Sequence, residues 1–332
     1  RIVGIWTSSL EKVIKKTILI TGGLGCLGGR LGQYFLNKGF RVKISSSRRN
    51  AKLPDELKSC LLVYADFDKV NSLASACLGV DFVVHLATVN SKQSQDNPEL
   101  AIKVNGVGTY NLIQACVKSK VKYFLYFSTA HVYKSPLIGE INEEKLPRPE
   151  HPYSITHRLA EDFLLESIGR KNIKGGIIRL SNSIGLPLTK ENSCWTLFVN
   201  DVCKQAIFNK SIVITSNPDS ERDFISIDSV CKVSEYFLSN QLDADYPVFN
   251  VGSGTSYSLL QMARMIADRC DKLFGFHPKI SFLKDDSNLK KIQKFKYGID
   301  KITLEMGYAI NNDLTSSIDE VLNFCHTMHG NK

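Results

Sequence analysis

The sequence predicts an α/β fold built on a doubly wound parallel sheet, with a smaller C-terminal region. Three observations carry that prediction. Apolar runs of strand length alternate with longer segments of helical period as far as about Ser181. The first such run ends in a cluster of glycines directly before a helix-compatible segment. Beyond Asn182 the alternation gives way to mixed short strands, helices and polar loops such as Thr215–Ser220 and Lys284–Asn288.

Taken in order, Lys16–Thr21 reads as the first strand and Gly29–Asn37 as the body of the first helix. Val42–Ile44, Leu61–Tyr64, Phe82–Leu86, Tyr123–Phe127 and Gly176–Leu180 read as further strands. Helical period runs over Val70–Cys77, Pro98–Lys118 and Tyr153–Ser167. Near-continuous apolar strands separated by helices imply a parallel sheet covered on both faces. Its crossovers are expected to be right-handed. Residues 1–15 read as an N-terminal extension, 16–181 as a dinucleotide-binding region and 182–332 as mainly substrate-binding, with segments returning to the sheet.

Composition narrows the function classes. A chain of 332 residues that is 43% hydrophobic can bury one large or two modest cores. It has no apolar run of about 18 residues, so no membrane span is expected. The nine cysteines are scattered singly with no CxxC pair, which argues against a zinc site and for no metal at all. An odd count without a disulfide framework fits a reducing cytoplasm. The net charge of +9 comes from dispersed basic residues, with local clusters at Arg48–Arg49 and Lys290–Lys296. No nucleic-acid module accompanies them, so nucleic acid is not an expected partner. Anionic small molecules explain part of the bias.

The turn Thr21-Gly22-Gly23-Leu24-Gly25-Cys26-Leu27-Gly28 is the strongest motif. In a strand–turn–helix context, Gly22 suits the tight turn, Gly25 a close approach of backbone to pyrophosphate, and Gly28 tight packing of helix on strand. Free N–H groups at the helix start, including those of Cys26 and Leu27, are expected to bind the phosphates.

Further segments sit at compatible distances: Asp66-Phe67 after the third strand, and His85-Leu86-Ala87-Thr88 at the end of the fourth. They continue with Asn105-Gly106-Val107-Gly108-Thr109, then Phe127-Ser128-Thr129-Ala130-His131-Val132-Tyr133, then Tyr153-Ser154-Ile155-Thr156-His157. Arg179-Leu180-Ser181-Asn182, Arg222-Asp223-Phe224 and Asn250–Gly254 complete the set. Together these resemble the extended short-chain dehydrogenase/reductase family, particularly its nucleotide-sugar epimerases, dehydratases and ketoreductases. The resemblance runs from about Lys16 to the C-terminus and implies a Rossmann-type fold.

The resemblance implies Tyr153 as general acid/base, Thr129 as the hydroxyl that holds the reacting oxygen, and Ser128 as its fallback. It implies that Asp66 and Phe67 meet the adenine, that Leu86, Ala87 and Thr88 line the cofactor, and that Asn105 supports the site. The family places a lysine four residues after the tyrosine, on the same helix face. This chain has His157 there. A histidine can bind the nicotinamide ribose but carries full charge only when protonated, with a reference pKa near 6.5. Its help to Tyr153, whose reference pKa is near 10, is therefore expected to be weaker and pH-dependent. Three readings stay open: His157 serves an active enzyme, Arg158 supplies the charge instead, or catalysis is lost and a cofactor or nucleotide sensor remains. Ala130 and His131 stand where 4,6-dehydratases carry an Asp-Glu pair, which argues against a dehydratase and leaves His131 as a sugar contact, a second acid or, more often for such a residue, a histidine that shapes the pocket.

The second strand ends in Ser45-Ser46-Ser47-Arg48-Arg49, with no carboxylate for a ribose 2′-hydroxyl. Hydroxyls and arginines suit a 2′-phosphate, so Ser46, Arg48 and Arg49 favour NADP(H), with NAD(H) as the alternative. On the substrate side the resemblance assigns a nucleotide diphosphate to Asn182 and Arg222. Trp195 and Phe198 are candidates for a base pocket, although aromatics at that spacing are more often simply core. A salt bridge from Arg222 to Asp223 or Asp228 is the structural alternative. The late arginine of many epimerases is not evident near Lys284–Asp286, where Lys290 or Lys291 could substitute. The expected enzyme is an oxidoreductase on a nucleoside-diphosphate sugar, with 4-keto reduction leading and 4-epimerisation as the alternative. An apolar, steroid-like alcohol is disfavoured because it offers Asn182 and Arg222 no phosphate. A homodimer is implied, through the Pro98–Lys118 and Tyr153–Ser167 helices.

Overall fold

The structure is a computed structural model that describes residues 15–188, 194–282, 294–307 and 309–330. Seven parallel strands form the central sheet. Their order from one edge is 248–251, 174–180, 123–129, 82–85, 17–21, 41–46 and 61–64. The chain starts in the middle at 17–21, winds outward to one edge, then returns past the start to build the other half. The topological switch therefore lies between strands 17–21 and 82–85, which pair directly from Ile18–Phe82 to Thr21–His85. Ligands bind such sheets at the carboxyl ends of the strands beside that switch.

Each face of the sheet has its own core. Ile18, Ile20, Ile44, Leu125 and Phe127 meet the 26–37 and 227–240 helices on one face. Leu19, Val83, Phe124 and Tyr126 meet the 70–77, 108–118 and 152–169 helices on the other. Successive strand residues alternate between these cores, as a period of two requires. The strand runs read from sequence are present, and the Leu61–Tyr64 strand and Val70–Cys77 helix have the expected bounds. The Val248–Val251 strand returns from beyond residue 182 to the sheet edge, beside 174–180.

The helix read over 98–118 is one continuous rod with a wider middle. Residues 98–101 and 108–118 are α-helical, whereas 102–107 form a π-helical turn. The C-terminal part has a separate core beneath helices 198–209, 259–274 and 314–330, which includes Val202, Phe224, Ile266 and Val321. Short strands 182–184, 221–226 and 256–258 pair beside it and carry the far wall of the cleft. Among the described residues, no helix is long and apolar enough to cross a membrane and no cluster suits a metal ion.

Candidate active site

The glycine turn shows why glycine is needed there. Gly22 has φ of +68°, and a Cβ on it would lie 2.9 Å from the Ala87 nitrogen. A Cβ on Gly28 would lie 2.3 Å from the Gly22 carbonyl oxygen, so only glycine lets the helix start against the turn. The Cys26–Asn37 helix has Gly25 as its N-cap, with no side-chain cap and no acidic residue in its first turn. Its leading N–H groups, Cys26 and Leu27 among them, thus have no side-chain cap to satisfy them, and the helix dipole there favours an anion. This bare, closely packed turn fits a dinucleotide pyrophosphate.

Tyr153 lies in the first turn of the Pro152–Gly169 helix, whose N-cap His151 accepts from the Tyr153 N–H through Nδ1 at 3.2 Å. The tyrosine lines a cleft of about 760 Å³ together with Thr88, Thr129, His131, Asn182 and Asp223. Its hydroxyl has no hydrogen-bond partner among the described residues, and burial raises its pKa to about 12.

Thr129 and Ser128 end the 123–129 strand on opposite faces. Ser128 shares the face of Tyr126 and donates to Glu161 Oε1 at 2.5 Å. Its hydroxyl is therefore committed to a buried carboxylate, and Thr129 is the hydroxyl left at the cleft. Among the described residues the Thr129 oxygen accepts only the His131 N–H, at 3.3 Å.

His157 follows Tyr153 by one turn, and the two rings meet edge to face at 4.4 Å. Its Nδ1 lies 2.7 Å from the Tyr126 hydroxyl and its Nε2 lies 3.4 Å from Thr88 Oγ1. Only 3% of the residue is exposed, and burial lowers its pKa to about 3. The expectation of pH-dependent help near neutrality is thereby revised. The imidazole is neutral throughout the physiological range, because desolvation penalises its charged form. Arg158 does not supply the missing charge either. It is held by Glu161 at 3.0 Å and by Asp162.

Asn105 sits in the π-helical turn. Its Oδ1 accepts from Val89 N at 2.9 Å and its Nδ2 donates to Thr156 at 3.0 Å. It thus ties the loop after the fourth strand to the tyrosine helix. Leu86, Ala87 and Thr88 continue from that strand, and the Leu86 and Ala87 N–H groups both donate to Thr21.

At the adenine end, Asp66 accepts from Asp68 N and from the Tyr64 hydroxyl and pairs with Lys69 at 3.1 Å. The Lys69 bond, first among these, keeps its carboxyl below the usual range. Phe67 packs where a Cβ on Gly108 would collide with it, at 2.7 Å. Ser46 accepts from the Arg48 N–H at 3.1 Å, and the Arg49 guanidinium lies 4.4 Å from the Tyr64 ring centre.

Of the residues expected on the substrate side, Asn182 and His131 line the cleft, and Arg222 lies close enough for its charge to act on His131. Asn182 is braced by a bond from Nδ2 to the Asp223 carbonyl at 2.9 Å. Arg222, half-buried, stacks near Phe198 at 5.9 Å and has no carboxylate partner among the described residues. The salt bridges weighed for it do not form. Asp223 instead accepts from Ser181 and Ser253, and Asp228 pairs with Lys232. His131 stands at the cleft wall; desolvation by the surrounding protein, then the Arg222 charge and His151, lower its pKa. Trp195 stacks on Phe324 at 6.2 Å and packs on the C-terminal core. Lys284–Asp286, Lys290 and Lys291 lie outside the described residues.

Within the Arg179–Asn182 segment, Arg179 faces away from the cleft. It is fully buried and grips Glu161 with two bonds, Nε to Oε1 at 3.0 Å and Nη2 to Oε2 at 2.7 Å. This pair, with Arg158 and Ser128, locks the tyrosine helix to two central strands. Glu161 lies one turn beyond His157 on the same helix, the one spacing that hinted at it.

Residues 18–252 match the model of the NAD dependent epimerase/dehydratase family. The dTDP-D-glucose 4,6-dehydratase of Dictyostelium discoideum is 27% identical over 278 residues, which cover 75% of this chain and 61% of that protein. The GDP-6-deoxy-D-talose 4-dehydrogenase of Aggregatibacter actinomycetemcomitans is 24% identical over 253 residues, covering 76% and 79%. The chain spans about half the length of several other curated relatives that it matches. Among solved structures, a UDP-glucose 4-epimerase with UDP-glucose from Thermotoga maritima superposes with a TM-score of 0.77 at 19% identity, covering 95% of this chain and all of that one. With the family model matching residues 18–252, well over half of the chain, the chain belongs to the NAD dependent epimerase/dehydratase family, of the short-chain dehydrogenase type.

Proposed function

We propose that this chain is an NAD(P)-dependent oxidoreductase acting on a nucleoside-diphosphate sugar, with reduction of a 4-keto group as the leading reaction. The observation that carries the reading is Arg222. A half-buried guanidinium without a carboxylate is a site for an anion, and a diphosphate is the anion such a planar fork matches. Its charge acts on His131, which lines the cleft that holds Tyr153 and Thr129. A sugar diphosphate laid along that cleft puts its phosphates near Arg222 and Asn182 and its ring near Thr129.

The cofactor, when bound, supplies the hydride chemistry. The glycine turn holds its pyrophosphate, and Ser46, Arg48 and Arg49 hold a 2′-phosphate, which supports NADP(H) over NAD(H). Thr129 orients the reacting oxygen through its hydroxyl. Tyr153 exchanges a proton with that oxygen, as acid in reduction and as base in oxidation. His157, being neutral, orients the ribose without contributing charge. The 4-epimerase alternative uses the same residues with a cofactor that stays bound. We also propose a second copy of this chain as partner. Val107, Tyr110 and Ile155 are 46%, 40% and 47% exposed on the 98–118 and 152–169 helices, an apolar surface suited to a four-helix contact.

Thermal unfolding with NAD, NADP, NADPH and UDP-, GDP-, CDP- and dTDP-sugars tests the reading, since a ligand that binds the folded state raises the midpoint. A shift with NADPH and one nucleotide class is expected. Tight NAD carried through purification selects the epimerase instead. An apo sample that no dinucleotide shifts would sink the enzyme reading and favour a sensor for nucleotides alone.

A further inference from the structure

We propose that Tyr126 is a positioning residue: its hydroxyl fixes His157 as the Nε2–H tautomer, so that a neutral N–H donor faces the cofactor ribose where the family has a charged lysine. The proposal rests on the reading of His157 as a ribose-side residue.

The direction of each hydrogen follows from both ends of a short chain of bonds. The Tyr126 side chain is buried at the second position of the stack His85–Tyr126–His157, with ring centres 5.5 and 5.9 Å apart. Among the described residues the only partner of its hydroxyl is His157 Nδ1, at 2.7 Å. A buried hydroxyl must place its hydrogen on an acceptor or lose a bond. Nδ1 is that acceptor, so Nδ1 carries no proton. At the other end, Thr88 Oγ1 donates to the Val89 carbonyl at 3.1 Å. With its own hydrogen placed there, it receives from His157 Nε2 at 3.4 Å. A neutral imidazole with Nδ1 accepting has its proton on Nε2. The two ends agree.

His85 shows the same wiring independently. Thr21 Oγ1 receives the Leu86 and Ala87 N–H groups at 3.2 Å and places its hydrogen on His85 Nδ1 at 2.6 Å. His85 Nε2 lies 2.9 Å from Thr109 Oγ1, whose hydrogen goes to the Asn105 carbonyl at 2.6 Å. There Nε2–H ends on a fully buried threonine. At His157 it ends on Thr88, an exposed residue at the cleft, through a long bond. A ribose hydroxyl can replace that bond; nothing can enter beside His85. Tyr126 therefore acts on the cofactor only through the ring it orients.

The test is nitrogen-15 NMR of the imidazole rings in the full chain without ligand, with the His157 signals identified by their loss in His157→Asn. The expected spectrum from pH 5 to 8 has a pyridine-type Nδ1 and a pyrrole-type Nε2 at His157. Tyr126→Phe should move that population towards Nδ1–H and leave His85 as it was. It should also weaken NADPH about fivefold, the size of one lost hydrogen bond. In a His157→Asn background the same Tyr126→Phe change should have no further effect on NADPH affinity. A wild-type ring protonated at Nδ1, or a tautomer unmoved by Tyr126→Phe, overturns the assignment. A moved tautomer with unchanged NADPH affinity in Tyr126→Phe overturns the ribose contact. Failure of the wild-type chain to bind any dinucleotide overturns the functional reading, and the spectrum still decides the tautomer.

Discussion

The two ends of the cleft are built on opposite electrostatic plans. At the Tyr153 end the phenol and the ring one turn beyond it are both neutral: the phenol is pushed up to about 12 and the His157 ring down to about 3, both by burial. At the far end Arg222 keeps its charge, although burial lowers its pKa somewhat, and no carboxylate offsets it among the described residues. The contrast teaches that a charge is kept where an anion can be held, whereas position 157, next to the tyrosine, brings it none. Burial alone works against that ionisation, because a charged phenolate loses more solvation than a neutral phenol. Any help must come from what binds beside it.

The largest effect should come from removing the proton-transfer group. Tyr153→Phe is expected to lower turnover by about 10²–10⁴-fold, the usual worth of a general acid, while dinucleotide affinity stays close to wild type. Single-turnover rates alongside cofactor titration check it; unchanged turnover would remove Tyr153 from the chemistry. Arg222→Gln should weaken nucleoside diphosphates by about 10–100-fold, the range of a lost charge-assisted bond, and leave NADPH untouched. Calorimetry with UDP, GDP and dTDP reads both numbers, and equal losses for NADPH would place Arg222 at the wrong end.

His157→Lys sharpens the comparison by giving the neutral end a charge. An ammonium beside the phenol favours phenolate, so the rising limb of the oxidation rate against pH should move down by about 1–3 units. A profile that does not move would show that position 157 has no electrostatic hold on Tyr153.

A smaller effect concerns stability in acid. His85 and His157 are both held at about 3 in the fold and take up protons near the ordinary value when unfolded. A depressed folded pKa means the contribution is complete above about 6.5 and is lost as pH falls from there towards 3, at about 1.4 kcal/mol per pH unit for each ring. The unfolding midpoint should be flat between pH 7 and 8 and drop below 6.5, with a shallower drop in His157→Asn. The smallest change, Ile155→Asp, should leave the fold intact and convert the proposed dimer to a monomer in sedimentation, and a wild-type chain that sediments as a monomer would remove that proposal.

Legibility in the sequence follows the length of the signal. Leu61–Tyr64 and Val70–Cys77 stand out because an apolar run and a helical stripe repeat over several residues. The pairs 139–141 with 295–297 and 211–214 with 279–282 are too short to show a period, and each depends on a partner far along the chain. In the site, glycines, Tyr153 and Asn182 are visible because their neighbours in sequence form motifs. Tyr126 is hidden because it sits inside an apolar strand and reads as core. The role of Arg179 is hidden for a related reason: it shares a motif with Asn182, three residues on, but its side chain is buried away from the cleft. Its partner Glu161 is 18 residues away on a helix.

The wide turn at 102–107 works as a phase shifter. An α-helix advances by about 100° per residue, so one added residue rotates everything beyond it by that angle. With the turn in place, Asn105 faces Val89 and Thr156 while Leu112, Ala115 and Cys116 still face the sheet. Deleting a single residue there would restore regular winding and force one of these two alignments to be given up. The rod is thereby two independent rulers joined end to end. The half that sets the active-site asparagine and the half that packs on the sheet are free to change sequence separately, provided the joint keeps its extra residue.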